Sequence, residues 1–262
     1  MTEYERIKLL DHGYIQTIDT WGSDQRIIES ARMSTDKGFL GWGPLDKDCT
    51  VCTGAGRALD PKCPNCRGTG KAPGDEKLLR FLWENAHSTP FEVAGLTIEV
   101  QAPIFVFREW HRHRVPFGYN ELSARYTPLP DVNYVPSVER CMLGSDGKNK
   151  QAGTVKGAEV LTADVAQDWR VDVEDFYAMA EDLYQRGLKI GLPKELARIV
   201  VPVGRYSRMR ATGNLRGWLA FLKLRMAPGA QWEIRQFANT LGTQIIAKEF
   251  PRTWELFAEA KA

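Results

Sequence analysis

No apolar run in the 262 residues approaches the ~20 needed to span a bilayer, and the opening Met1-Thr2-Glu3-Tyr4-Glu5-Arg6 lacks a secretory signal core. The expectation is a cytoplasmic protein with no membrane contact. A charge imbalance is missing too: 35 basic and 33 acidic residues leave +2, so no global field draws the chain to nucleic acid. Any anion must be held by a local cluster. Histidine is scarce, at four, and cysteine hardly less so, at five. Four cysteines crowd between Cys49 and Cys66, which leaves Cys141 in a polar loop with no histidine near it in sequence. A thiol nucleophile is not expected there. There is no internal repeat beyond one doubled cysteine motif. Hydrophobic content of 43% and charged content of 26% are ordinary, and the length suits a single domain, 1–262, with an ample core.

The cysteines read Cys49-x2-Cys52-x10-Cys63-x2-Cys66, in two copies of Cys-x2-Cys-x-Gly-x-Gly. In a reducing compartment such spacing argues for thiolate metal ligands over disulfides. Four sulfurs close a tetrahedral zinc site and leave no open position, so the metal is expected to be structural. The surrounding stretch, 36–73, breaks all periodicity and is rich in Gly, Pro, Lys and Asp. It reads as a metal-closed insert, either a staple for a loop too small to have its own core or a contact for protein or nucleic acid. The knuckles resemble those of DnaJ-type co-chaperones.

Elsewhere periodicity is strong. A strand is expected near Tyr14–Asp19, then a helix N-capped by Ser23 and reaching Met33. Leu78, Leu79, Leu82 and Trp83 have helical spacing, and Phe91–Val100 alternates with Ala94, Leu96, Ile98 and Val100 on one face. Pro103 suits the first turn of a helix burying Ile104, Phe105, Phe107 and Trp110. After a long loop over 127–157, a helix from Thr162 to Arg186 is expected to bury Val165, Trp169, Val173, Phe176, Ala180 and Leu183, and to stop at Gly187 and Gly191. A short helix with Glu195 and Arg198, a strand 205–211, a helix 214–226 and a last helix 230–250 complete the chain. The expected class is α+β, helices packed on an antiparallel sheet.

The most unusual stretch is Arg108–Tyr126, with four arginines and two of the histidines. Arg112, His113 and Arg114 are contiguous and fan around a helix end. Because that end is a C-terminus, side chains must supply the positive charge. Guanidinium forks beside hydroxyl, amide and carboxylate groups suit a phosphate or a planar hydrogen-bonding ring. A charged, solvated helix end is the plain alternative.

Arg112-His113-Arg114 followed by Asn120-Glu121-Leu122-Ser123-Ala124-Arg125-Tyr126 resembles the signature of the flavin-dependent thymidylate synthases. Gly13-Tyr14-Ile15, Ala31-Arg32-Met33-Ser34, His87-Ser88-Thr89-Pro90-Phe91-Glu92, Ala102-Pro103-Ile104-Phe105-Val106, Asn214-Leu215-Arg216 and Gln231-Trp232-Glu233-Ile234-Arg235 are similar to further blocks of that family, in its order. The resemblance implies reductive methylation of dUMP to dTMP, with methylenetetrahydrofolate as carbon donor, FAD as hydride source and NADPH as reductant. It implies that Ser34, His87, Thr89, Arg112, His113, Arg114, Asn120, Glu121, Asn214, Arg216 and the position of Ala220 face FAD. Glu109, Arg112, Glu121, Ser123, Arg125 and Arg198 are implied to hold a pyrimidine nucleoside monophosphate, and Arg225 to favour its ionised ring. A homotetramer with shared active sites is likewise implied.

Departures from the pattern concern the pocket. Eight residues separate Arg114 from Ser123, one more than the family pattern, which a bulge at Gly118 would absorb. Glu109 replaces a glutamine, Ala220 an asparagine and Gly229 a histidine. A carboxylate near a phosphate would repel it unless protonated or paired with an arginine. UMP or another pyrimidine nucleotide is therefore an alternative substrate, and a non-catalytic zinc-bearing scaffold is an alternative of a different class.

Overall fold

The computed structural model describes residues 5–52, 61–144 and 161–260. Glycines 54 and 56 of the first knuckle and residues 145–157 of the expected loop lie outside them. In chain order the strands are β1 (Ile7–Leu9), β2 (Gly13–Trp21), β3 (Gly95–Pro103), β4 (Gly118–Glu121) and β5 (Tyr206–Asn214). The helices are α1 (Asp24–Arg32), α2 (Glu76–Glu84), α3 (Ile104–Trp110), α4 (Val138–Cys141), α5 (Ala163–Lys189), α6 (Lys194–Ala197), α7 (Leu215–Arg225), α8 (Trp232–Thr240), α9 (Ala247–Glu249) and α10 (Pro251–Glu259). The strands form one five-stranded sheet in the order β1-β2-β3-β5-β4, with antiparallel β1–β2 and β4–β5 ladders, and the fold is α+β.

The chain forms two compact units. The first comprises Met1–Asp19, Leu96–Gly213 and Gly217–Ile245. Its core lies where α3, α7 and α8 bring aromatic rings together: Trp110 stacks on Phe221 at 4.9 Å and meets Phe237 edge-on at 6.1 Å. The second comprises Thr20–Gly95, Asn214–Arg216 and Ile246–Ala262. There Ser23 accepts from Arg26 N–H to cap α1, and Trp83 of α2 packs against Phe91 and Phe257. Buried Asp24 accepts from the backbone N–H groups of Arg252 and Thr253, so a carboxylate caps the start of α10.

Several boundaries differ from expectation, each for a local reason. Phe91 is buried in a 3-10 turn, Thr89–Glu92, and β3 starts only at Gly95, although Ala94, Leu96, Ile98 and Val100 are all buried as the alternation requires. Pro103 ends β3 in extended geometry and caps α3 without entering its first turn. The face that the helix packs inward carries Val106, Phe107 and Trp110, while Ile104 and Phe105 are half-exposed. The β4–β5 register runs unbroken from Gly118↔Thr212 to Glu121↔Met209, so there is no bulge at Gly118 and the extra residue is taken up in the preceding turn. The expected loop over 127–157 contains α4, capped by Ser137.

Helix α5 runs through Gly187, which is buried with Ala197 and Leu192 against it, and ends before Gly191, whose φ of +86° suits glycine. Its covered stripe is Ala166, Ala180, Tyr184 and Gly187. Trp169 and Phe176, expected to be buried, are 50% and 52% exposed, and Val165 and Leu183 are exposed with them. Their helical spacing is real, but the described residues of this chain leave about half of each side chain uncovered. The expected last helix divides: α8 passes into a π segment, Leu241–Ile246, and Pro251 opens the separate α10.

Candidate active site and metal centre

Helix α3 ends at Trp110, and residues 111–117 turn back into β4. The Tyr119 hydroxyl fixes the turn by reaching the carbonyl oxygens of His113, at 2.6 Å, and Trp110, at 3.3 Å. Phe117 anchors its far end edge-on to Trp218 at 4.6 Å. Side chains alternate within the turn: Arg112 and Arg114 are exposed, while His113 points inward to the Phe221 ring, 4.8 Å away.

In the last turn of α7, Arg225 uses all three guanidinium nitrogens. Nε donates to Nε2 of His113 at 2.8 Å, Nη1 to Oε2 of Glu109 at 2.6 Å, and Nη2 to the Glu109 carbonyl oxygen at 2.8 Å. Accepting at Nε2 requires a neutral imidazole with its proton on Nδ1. Burial, reinforced by the Arg225 charge and opposed by Glu109, pushes the His113 pKa down to about 4. The result is a guanidinium of fixed orientation whose carboxylate neighbour is charge-balanced.

Asn120 and Glu121 lie on β4 and, with Glu99, Leu122, Arg208 and Arg210, line a cavity of about 390 Å³. Ser123 Oγ accepts from Arg125 N–H at 3.3 Å, and the Arg125 guanidinium lies 3.7 Å from Glu195 of α6, the helix leading to Arg198. Arg112, Arg114 and Arg198 are exposed and form no ion pair among the described residues. Ala220 is exposed on α7. Arg208 and Arg210 join the wall of the cavity beside β4 from outside the expected set of site residues. Their signal in the sequence is the alternation in Ser207-Arg208-Met209-Arg210-Ala211, where buried residues flank exposed arginines on one face of β5.

In the second unit, Ser34, His87, Thr89 and Arg216 meet around a single cavity of about 760 Å³. Arg32 and Lys37 add cations to its wall, and Leu78, Phe81 and Leu82 add apolar surface. The His87 ring stands edge-on to Phe81 at 5.4 Å, and Arg216 is paired with Glu92. Asn214 ends β5, half-buried. Size and a mixed cationic and apolar lining suit a large planar cofactor bearing phosphates.

Also in this unit, Cys49, Cys52, Cys63 and Cys66 are buried, unoxidised, and have ligand atoms within 4.8 Å of one another. Cys49 and Cys63 sulfurs lie 4.0 Å apart, and Cys52 and Cys66 sulfurs 3.4 Å. A tetrahedron with zinc–sulfur bonds of about 2.3 Å has sulfurs roughly 3.8 Å apart, so the donor set fits that ion. The Asn65 amide donates to Cys49 Sγ at 3.3 Å and, ahead of nearby backbone N–H groups, draws its pKa down to about 6, against the upward push of burial. The site is built for thiolates.

Residues 16–252 match the family model described as "Thymidylate synthase complementing protein". The chain is 33% identical over 250 residues to the flavin-dependent thymidylate synthase of Thermosipho africanus, covering 95% of this chain and 92% of that protein. It is 32% identical over 253 residues to that of Thermus thermophilus, covering 97% and 78%. It is also similar to a solved structure of the UMP/dUMP methylase PolB from Streptomyces cacaoi bound with 5-Br UMP, at a TM-score of 0.72 and 29% identity, over 97% and 96% of the two chains. A family match from residue 16 to residue 252 and a relative 33% identical across 92% of its own length establish that this chain belongs to the flavin-dependent thymidylate synthase family.

Proposed function

We propose that the chain catalyses reductive methylation of dUMP to dTMP, with methylenetetrahydrofolate as one-carbon donor and NADPH as reductant of a bound FAD. The observation that carries this reading is the Arg225 guanidinium, held by Glu109 and His113 beside the arginine-rich turn of a chain of this family. FAD, when bound and reduced, supplies hydride to the nucleotide.

The remaining work falls to the protein. Arg225 is an oriented cation that favours the uracil ring ionised at N3, which makes C5 nucleophilic without a covalent enzyme adduct. Ser123, Arg125 and Arg198, with Arg112, offer a hydroxyl and guanidinium forks to the nucleotide phosphate, and Glu121 stands between nucleotide and cofactor. Because Arg225 neutralises Glu109, the carboxylate is tolerated near that phosphate. Each unit offers its own contacts to FAD: the first Arg112, His113, Arg114, Asn120, Glu121 and the open surface at Ala220, the second Ser34, His87, Thr89, Asn214 and Arg216. Its fit is supported by the cavity of about 760 Å³ and the cations around it.

A second substrate, UMP, is favoured by the likeness to the UMP/dUMP methylase PolB. Zinc is assigned to the four cysteines as a structural ion within an insert, 36–73, of a single enzyme domain; the buried sulfurs favour a staple over a docking surface. The exposed apolar side chains of α5 support assembly into a homotetramer with shared sites. No helix among the described residues is long and apolar enough to cross a membrane, in keeping with a cytoplasmic enzyme.

The test is anaerobic incubation of purified protein with FAD, NADPH, methylenetetrahydrofolate and either dUMP or UMP, with products identified by mass. dTMP is expected from dUMP. A methylated product from UMP alone would make UMP the substrate, and no product from either, despite bound flavin, would refute the assignment.

A further inference from the structure

The cysteine insert joins the two halves of one cavity wall. Arg32, Ser34 and Thr35 line the cavity of about 760 Å³ just before the insert, Lys37 lines it at the insert's start, and Leu78, Phe81 and Leu82 line it just after. Between them the two arms of the insert are laced together from the thiolates to the wall. Cys49 N–H donates to Gly70 O at 2.8 Å, Asp48 bridges to Lys71, and Ala72 N–H donates to Lys47 O at 2.7 Å. Leu45 N–H donates to Ala72 O at 2.9 Å, and Gly43 N–H to the Glu76 carboxylate at 2.8 Å. Asp75 N–H donates to Gly41 O at 3.0 Å, and Leu40 N–H to Oδ2 of Asp75 at 2.7 Å.

The ribbon therefore ends on Asp75. That residue is fully buried, and its Oδ1 carries the guanidinium of Arg32. A second link leaves the thiolates sideways. Asn65 donates to Cys49 Sγ at 3.3 Å and accepts from Lys77 Nζ at 2.7 Å, and Lys77 lies on α2 next to the cavity-lining Leu78.

A two-stranded ribbon is marginally stable in water by itself. Closing its far end with a metal removes loop freedom that would otherwise let it fray toward Asp75. We infer that the ion held by Cys49, Cys52, Cys63 and Cys66, of the zinc class, acts as a positioning element for the cofactor cavity, through the ribbon to Asp75 and Arg32. The inference rests on the reading of that cavity as a flavin site. Asp75 and Asn65 are positioning residues; neither is required to touch the cofactor.

The test uses the full chain. FAD affinity is measured on zinc-loaded protein, after stripping with a chelator, and after zinc is restored, with metal content, far-UV circular dichroism and the flavin absorption band recorded throughout. Stripped protein is expected to keep its secondary structure, bind FAD about tenfold more weakly (~1.4 kcal/mol), and recover with zinc. Asp75→Asn, which spares every thiolate, should retain the metal, lose FAD affinity to a similar degree and shift the absorption band of bound flavin. If stripping unfolds the chain, Asp75→Asn decides. Unchanged FAD affinity in folded, metal-free protein, or in metal-loaded Asp75→Asn, overturns the inference. If zinc-loaded wild type binds no FAD at all, the flavin reading of the cavity falls first and the inference with it.

Discussion

Arg225 and Glu109 are joined twice, by Nη1 to Oε2 at 2.6 Å and by Nη2 to the Glu109 carbonyl oxygen at 2.8 Å. The pair lies partly buried, with 15% of the arginine and 40% of the glutamate side chain exposed. One consequence is chemical: the carboxylate that would repel a nucleotide phosphate is balanced within the protein. The other is geometric, because a guanidinium held at two nitrogens by Glu109 and at the third by His113 has little rotational freedom left.

Replacing that fork tests its role. Lysine keeps the charge but cannot reach Glu109 Oε2, the Glu109 carbonyl and His113 together. Arg225→Lys should lower kcat/KM for the nucleotide by about 100-fold, the usual scale for losing one oriented electrostatic group. Steady-state kinetics with circular dichroism checks this. A loss of less than about threefold would remove Arg225 from the mechanism.

Glu109→Gln removes the counter-charge and keeps an amide oxygen for Nη1. The unbalanced guanidinium should then tighten nucleotide binding by about threefold at low ionic strength, with the gain shrinking as salt is added. Calorimetric titration at two salt concentrations reads both effects. Weaker binding at each would mean that the carboxylate itself contacts the nucleotide.

His113 gives a pH signature. Its folded-state pKa is lowered from 6.5 to about 4, chiefly by burial and next by the Arg225 charge. The unfolded chain therefore takes up this proton first as pH falls. The stability contribution is whole above about pH 6.5 and is lost progressively toward pH 4. NMR titration of the His113 ring should show a midpoint near the lower value, and the denaturation midpoint should fall across the same window. A ring that titrates near its ordinary value would contradict the Arg225–His113 hydrogen bond.

The exposed face of α5 makes a prediction about assembly. Phe176, 52% exposed in the single chain, should be covered by a second copy. Phe176→Glu would place a charge in that interface and should shift sedimentation velocity toward smaller species while far-UV circular dichroism stays unchanged. An unaltered assembly would exclude this face from the interface.

Much of this molecule was legible residue by residue. The Ser23 cap, the start of the long helix at Thr162, the alternation Ala94-Leu96-Ile98-Val100 and the Cys-x2-Cys spacing all appear where expected, because each depends on neighbours a few positions away. The signature around Arg112–Arg114 and Ser123–Arg125 was readable for a similar reason. Local order can specify a turn and the residue types it presents.

What only the tertiary structure decided involves separations that no local pattern encodes. Arg225 meets Glu109 across 116 positions and His113 across 112. Asp75 takes hold of Arg32 from 43 positions away, which ties the metal insert to a cavity wall. Periodicity showed that α5 has an apolar stripe, but which residues the rest of the chain covers is set by the elements packed against it, and these chose Ala166, Ala180 and Tyr184. Charge identity and helical phase are properties of the sequence, whereas the partner that neutralises a charge or covers a face is fixed only when the chain has closed on itself.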